Sequence, residues 1–252
     1  MQLAWTRKVL AAVAAAAFVG VAAVPGTAKD PLPEGGAAKQ QDADLAFLKA
    51  AVDKKAKNSI DPVRTTAVLI AQNAQNRLGG KDDEQLTGLR DEMLKLAEAL
   101  ADSDKPDWAA AAKALGAAKA AKGNGKAADL SKVKDFDLVV TMNVFKKASR
   151  GGRGWEDDLT EMAQGKKPAD ADKALEIAQG SHLVAQLAEV LPPDGIGAKK
   201  KEWDKYVADM KKTTAEVAAE AVKGKKADAA ALKKKLEAME SNCTACHKVF
   251  KH

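Results

Sequence analysis

Apolar residues recur at every third or fourth position through most of the chain, which is the spacing of an amphipathic α-helix. The clearest example is the stripe formed by Leu86, Leu89, Met93, Leu96 and Leu100. No run of alternating apolar and polar residues rich in Val, Ile or Thr predicts a β-strand. Alanine and lysine dominate and aromatic residues make up only 4% of the chain, a composition that also favours helices. The pattern therefore predicts an all-α fold.

The first half of the chain divides into segments of different character. Residues 29–41 contain proline and glycine without apolar periodicity, which predicts a flexible linker. Residues 42–128 carry short helical stripes and are predicted to form a helical module. Within this module Asp61 and Pro62 predict the start of a helix, and Gly79 predicts its end.

Longer helical patterns occupy the second half, residues 129–252. They cover residues 133–149, 170–191, 199–223 and 227–250. Helices joined by short loops favour an antiparallel up-down four-helix bundle. In that topology the start of the first helix lies beside the end of the fourth.

The two halves also show weak internal similarity. Trp108 and Trp203 each begin a predicted helix after a lysine-rich turn, and a Lys-Gly pair follows each helix. The distances between these features differ, and alanine-rich helices resemble one another easily. The module of residues 42–128 is therefore either a degenerate copy of the second half or an unrelated helical unit.

The strongest chemical signal is the run from Cys243 to His247, with sequence C-T-A-C-H, which contains the only two cysteines of the chain. A C-x-x-C-H run is typical of covalent haem c attachment. On a helix, Cys243 and Cys246 face the same side, so both sulfurs can reach one edge of a planar macrocycle. His247 then stands under the ring as an axial ligand of the iron. The sequence predicts one covalently bound haem c.

Three other interpretations of the cysteine pair remain. A thioredoxin-like redox pair is expected in a βαβ setting, which the sequence lacks. A structural zinc site needs more ligands than one cysteine pair and one histidine supply. Chance occurrence is the third. An export signal in the same chain favours haem attachment over all three.

That signal is predicted at residues 1–28. Arg7 and Lys8 precede an alanine-rich apolar run, and small residues follow it, with cleavage expected after Ala28. The alternative is a membrane anchor, but the apolar run of about sixteen residues is shorter than the roughly 20 that a spanning helix needs. We therefore expect a bacterial periplasmic or otherwise extracytoplasmic protein, without stable membrane insertion after cleavage.

The charge pattern limits the partners of the protein. The formal net charge is +6, but acidic and basic residues alternate along the chain, as on a solvated surface. No basic stripe and few aromatic residues are present, so a nucleic-acid partner is not expected. The mildly basic surface suits a redox partner protein of acidic character, and a homodimer is a further candidate assembly.

Residues 129–252 resemble the class II cytochromes c, the cytochrome c-prime family and its low-spin relatives. The resemblance is carried by several features: the C-T-A-C-H run at the end of the fourth helix, Phe250-Lys251 after it, the Pro192-Pro193 turn leading to Trp203, the alanine-rich third helix ending at Gly224, and the Lys-Lys-Ala pattern with glycines over residues 146–152. It implies a four-helix bundle with haem near one end. It also implies that Cys243 and Cys246 hold the haem and that His247 is the proximal ligand.

The resemblance leaves the sixth position of the iron open between Met142 and Phe145. Both residues lie early on the predicted first helix, one turn apart on the same apolar stripe. In the low-spin relatives a methionine of this helix binds the iron, whereas in c-prime proteins an apolar residue covers it. Plain core packing is the alternative role for Met142.

The sequence also predicts the positions of four other residues. His182 lies opposite the apolar face of its helix and is predicted at the surface, and His252 is predicted to be a frayed terminus. Trp203 and Tyr206 are predicted near the haem end, where they would pack in the core or against the haem edge.

The function expected from the sequence is electron transfer through one haem c, without catalysis. A haem protein that binds or senses a diatomic gas such as NO or CO is the alternative, and it requires an open sixth position. Catalysis such as peroxide reduction is disfavoured because the residues beside Met142 and Phe145 are apolar and supply no acid–base pair.

Overall fold

The computed structural model describes residues 36–123 and 127–250, and these residues form helices and loops without a strand. The all-α prediction is therefore confirmed over the described residues. The α-helices are α1 (Gly36–Lys54), α2 (Ile60–Leu78), α3 (Glu84–Ala99), α4 (Trp108–Ala117), α5 (Leu138–Met142), α6 (Trp155–Ala163), α7 (Ala171–Val190), α8 (Lys200–Ala221) and α9 (Ala229–Phe250). Single 3₁₀ turns occupy Lys57–Ser59, Leu130–Lys132, Asn143–Phe145, Ala148–Arg150, Gly197–Lys199 and Gly224–Lys226.

Local signals set the ends of the helices in the first half. Asp83 caps α3, because its side chain accepts hydrogen bonds of 2.9 Å from the backbone amides of Gln85 and Leu86. Gly79 ends α2 in the left-handed conformation with φ of 52°, as predicted. Pro62 lies in the first turn of α2, where its missing N–H costs no intrahelical hydrogen bond. The predicted stripe of α3 is buried at Leu89, Met93, Leu96 and Leu100.

The structure corrects the predicted linker over residues 36–41, which are the start of α1 rather than a flexible segment. This part of α1 packs so closely against α7 that a Cβ at Gly36 would lie 1.6 Å from Nε2 of Gln179. Gln40 and Asp44 are both buried at this contact. The helix is hidden from the apolar pattern because the side chains that face its neighbour are polar.

The predicted helix over residues 133–149 is wrong. Its only α-helical part is the five-residue α5, which continues into the 3₁₀ turn Asn143–Phe145. Asp135 has a positive φ of 47°, and Asp137 starts α5 as an N-cap that accepts a 2.8 Å hydrogen bond from the amide of Val140. After Phe145 the chain turns back, since the amide of Arg153 donates a 2.8 Å hydrogen bond to the carbonyl of Val144.

The second half consequently contains three long helices instead of four. Helix α7 packs on α8, α8 packs on α9, and the short α6 contacts both α9 and α7. Helix α6 follows the 3₁₀ turns in the chain, and its first residue, Trp155, is fully buried. The described residues therefore do not confirm the predicted bundle of four long helices.

Buried side chains from both halves form one hydrophobic cluster, which we call the main core. It includes Leu69 and Ile70 of α2, Ile177 and Leu183 of α7, and Met239 of α9. A smaller cluster, called the end cluster, consists of Ala185, Ala188, Trp203 and Val207. The predicted division of the chain at residue 129 therefore does not divide the hydrophobic core.

None of the helices in residues 36–123 and 127–250 combines the length and apolar character needed to cross a bilayer. The predicted export signal at residues 1–28 lies outside the described residues.

Candidate functional site

The C-T-A-C-H run occupies the C-terminal turns of α9. Cys243 and Cys246 are three residues apart on a continuous helix, so their side chains lie on the same side about one turn apart. Both cysteines are free thiols, each partly buried. His247 follows directly and is also partly buried. Helix α9 thus carries two thiols and an imidazole close together near its C-terminal end, as covalent haem attachment would require.

The two thiols lie against different parts of the apolar interior. Cys243 packs against the main core, whereas Cys246 packs against the end cluster. Leu138 of α5 and Met210 of α8 also pack against the end cluster. Cys246 therefore shares its apolar neighbours in the end cluster with Leu138 of α5 and Met210 of α8.

Burial controls the ionisation of both thiols. It raises the pKa of Cys243 to about 12, with smaller contributions from the neighbouring Cys246 and from the charges of Glu240 and Glu156. Burial also raises the pKa of Cys246. Reactive cysteines of redox enzymes have lowered pKa values that populate the thiolate. The electrostatics therefore disfavour the thioredoxin-like interpretation of the pair.

Aromatic side chains surround the end of α9. The Phe250 ring lies 5.2 Å from the Trp203 ring and 6.1 Å from the Tyr206 ring, both in edge-to-face geometry. Trp203 is buried, and its Nε1 donates a 3.1 Å hydrogen bond to the carbonyl of Ala188. Trp203 and Tyr206 therefore lie at the cysteine end of α9, as predicted.

The segment that carries Met142 and Phe145 runs from the end cluster to the start of α6, a helix that contacts α9. Both side chains are partly buried against the main core. Phe145 packs edge-on against Trp155, with 5.6 Å between ring centroids. The residue after Trp155 is Glu156, whose charge contributes to the raised pKa of Cys243. Residues 138–145 thus run from Leu138, which packs against the same end cluster as Cys246, to Phe145, which packs against Trp155 of α6.

The structure corrects the prediction for His182, which is buried rather than exposed. Its Nδ1 lies 3.0 Å from the hydroxyl oxygen of Thr214 on α8. Helix α7 contacts α1, α2, α5, α6 and α8, so it is buried on almost every side over its central turns. A single apolar stripe could not indicate this, because α7 also buries polar side chains. His252 lies outside the described residues.

Sequence reasoning missed a buried ionic network between the two halves. The side chain of Arg153, which is 5% exposed, donates hydrogen bonds to the carboxylates of Asp44 at 2.7 Å and Glu176 at 2.5 Å. Its guanidinium carbon also lies 4.9 Å from the ring centroids of Phe47 and Trp155. Glycines flank Arg153 in a loop, and no local pattern indicates that its partners are so distant in the chain.

The residues present fit a covalently bound haem by the chemistry of their donor atoms. Two thiols on one helix face suit the attachment of two vinyl groups, and the imidazole of His247 supplies a nitrogen ligand. The apolar side chains around the thiols suit the hydrophobic faces of a porphyrin. Met142 carries a thioether that could bind the iron at its sixth position. Phe145 carries an apolar ring that could cover that position without binding.

Comparison of the chain with protein-family models, with curated proteins and with solved structures found no match.

Proposed function

We propose that this protein is a c-type cytochrome that transfers electrons through one covalently bound haem. The observation that carries the proposal is the placement of Cys243, Cys246 and His247 on α9, with both thiols packed against apolar side chains. A haem attached there would be held at its edge and buried along its faces. Bound haem supplies an iron centre that accepts and returns one electron.

The chain's own residues would then set the properties of that centre. Cys243 and Cys246 fix the orientation of the macrocycle, and His247 provides the proximal ligand. Trp203, Phe250 and the end cluster exclude water from one side, and low water access is one determinant of haem potential.

The alternative is a haem protein that binds a diatomic gas. Phe145 favours it, because an apolar ring at the sixth position would cover the iron without binding it, and this ring is held edge-on against Trp155. Met142 favours electron transfer, since a thioether ligand gives a six-coordinate iron that changes little between oxidation states. Electron transfer is the leading proposal, because a five-coordinate haem also passes electrons.

Location and partners form part of the same proposal. The predicted signal at residues 1–28 would direct the protein out of the cytoplasm, which is where covalent haem attachment occurs in bacteria. Exposed lysines at the start of α8, among them Lys201 and Lys205, lie on the helix that contributes Trp203. They suit an acidic redox partner protein.

Covalent haem attachment gives a direct test. The full chain is expressed in a bacterial host that matures c-type cytochromes, and the denatured protein is stained for haem on a gel. The unmodified chain should stain, and Cys243→Ala combined with Cys246→Ala should not. Each single variant should retain one thioether bond, visible as a shifted pyridine haemochrome spectrum. An unstained wild-type chain, or a stained double variant, would refute the proposal.

A further inference from the structure

We infer that Arg64 and Thr65 of α2, with the nearby Asp61, are positioning residues that hold the Met142–Phe145 segment over the haem. The inference rests on the proposed function and assigns a role to the first half of the chain. Helix α2 packs against both α5 and the following 3₁₀ turn, so the two halves meet at this segment.

Three side chains of α2 bind residues 134–143, which lead into the Met142–Phe145 segment and are treated with it as one segment, residues 134–145. The Thr65 hydroxyl donates a 3.0 Å hydrogen bond to the carbonyl of Val140. A guanidinium nitrogen of Arg64 donates to the carbonyl of Lys134. The amide nitrogen of the Asn143 side chain donates a 2.6 Å hydrogen bond to the Asp61 carboxylate.

The spacing of these residues places them on one face of α2. Asp61, Arg64 and Thr65 are related by steps of three and four residues, which are neighbours on a helix surface. Their three partners lie at positions 134, 140 and 143, before, within and just after α5. The face of α2 therefore holds the segment at three points along its length.

Burial makes these contacts strong determinants of position. Thr65 is fully buried and Arg64 is 3% exposed. Arg64 also donates a 3.2 Å hydrogen bond to the carbonyl of Ala97, near the C-terminal end of α3. Its guanidinium carbon lies 5.8 Å from the centroid of the Phe136 ring. A buried guanidinium or hydroxyl that lost its carbonyl partner would be left with an unpaired polar group, which is costly. Alternative placements of the segment are disfavoured for that reason.

The segment itself has little intrinsic structure. Helix α5 has five residues, too few to form a stable helix in isolation. An axial bond to iron tolerates only small displacements of the ligand atom, whereas Met142 and Phe145 are separated by nearly a full helical turn of about 5.4 Å. The contacts from α2 therefore decide which side chain stands at the sixth position and how firmly it is held.

The test compares two adjacent threonines in the full-length chain. Thr65→Val removes the hydrogen bond to Val140 and keeps the side-chain volume. Thr66→Val is the matched control, because Thr66 is equally buried but its hydroxyl bonds to the carbonyl of Pro62 within α2. Thr65→Ser keeps the hydroxyl and should restore the wild-type properties if Thr65→Val changes them.

The readouts are the rate of carbon monoxide binding to the ferrous protein and its absorption spectrum, alongside haem staining of the denatured chain. Thr65→Val should still stain, and its rate should change by about five- to tenfold, the loss expected for one buried hydrogen bond. Thr66→Val should match the wild type in rate and spectrum. Equal rates in all three proteins, or equal changes in both valine variants, would overturn the inference.

Amide hydrogen exchange separates this inference from the proposed function. Residues 134–145 should exchange faster in Thr65→Val than in Thr66→Val, whether or not haem is bound. Faster exchange with an unstained wild-type chain would show that α2 anchors the segment while the cytochrome proposal fails, and the haem-positioning role would fail with it. Unchanged exchange with a stained chain would overturn the inference alone.

Discussion

The guanidinium of Arg153 donates a 2.7 Å hydrogen bond to the carboxylate of Asp44, which lies 109 residues earlier in the chain. Both side chains are almost completely buried, at 5% and 0% exposure. The pair joins α1 to the loop just before α6, whose first residue is Trp155. The first helix of the described chain is therefore tied to the loop that follows the Met142–Phe145 segment.

Burial gives the Asp44 contact a pH dependence. Desolvation raises the pKa of Asp44 to about 7, although the charge of Arg153 opposes the shift and the charge of Glu176 adds to it. An unfolded Asp ionises near pH 4, so between these values the folded state binds more protons. The stability contributed by this carboxyl is therefore present below pH 4 and is lost as the pH rises towards 7.

Asp44→Asn should consequently flatten the dependence of unfolding free energy on pH. Relative to this variant, the wild type should lose up to about 4 kcal/mol between pH 4 and pH 8, as urea unfolding at several pH values would measure. Asp172→Asn serves as the control, since Asp172 pairs with Lys39 at the surface. Parallel curves for wild type and Asp44→Asn would contradict the raised pKa.

A second prediction concerns His182. Its removal should be costly because its Nδ1 lies 3.0 Å from the buried Thr214 hydroxyl. His182→Ala should lower the free energy of unfolding by about 2 kcal/mol, through a cavity and a lost hydrogen bond. Glu189→Ala, which removes an exposed ion pair with Lys211, should cost less than about 1 kcal/mol. Equal losses of stability in the two variants would contradict the buried position of His182.

Gly180 offers a test of the packing around Trp155. A Cβ at Gly180 would lie 2.1 Å from Cη2 of the Trp155 ring, and the ring is fully buried. Gly180→Ala should therefore destabilise the protein by about 2 kcal/mol or more, measured as a lower denaturant midpoint. Gly116→Ala should instead stabilise it by about 0.5 to 1 kcal/mol, because this helical glycine has open space around its Cα.

The identity of the sixth-position residue separates the two proposed functions. If the Met142 sulfur binds the iron, Met142→Ala should convert a low-spin ferrous spectrum to a high-spin one. If Phe145 covers the iron, Phe145→Ala should accelerate carbon monoxide binding while Met142→Ala changes little. Met93→Ala is the control for the loss of a buried methionine, since Met93 belongs to α3. Rapid carbon monoxide binding by the unmodified protein would count against methionine ligation.

Sequence patterns predicted those features of the fold that depend on neighbouring residues. The helix end at Gly79 and the stripe of α3 follow from side chains within a few positions of one another. The cysteine pair on α9 is predictable for the same reason, because its spacing alone fixes a shared face.

Contacts between distant residues account for the features that the sequence did not predict. The apolar stripe over residues 133–149 suggested one helix, but Arg64 and Thr65 bind carbonyls of this segment. His182 likewise contacts Thr214 of α8, and Arg153 is paired with Asp44 of α1. In each case a polar side chain finds its partner far away in the chain, which periodicity cannot show.

The burial of Cys243 restricts the order in which the proposed holoprotein can be assembled. Cys243 is partly buried and packs against the main core, so the docked helix α9 gives a rigid macrocycle only restricted access to this thiol. Under the proposed function, we therefore expect the thioether bonds to form while α9 is still undocked. Helix α9 follows every other described helix in the chain, so maturation would compete in time with the final folding step. A faster-folding variant would then carry less haem, even with every ligand intact.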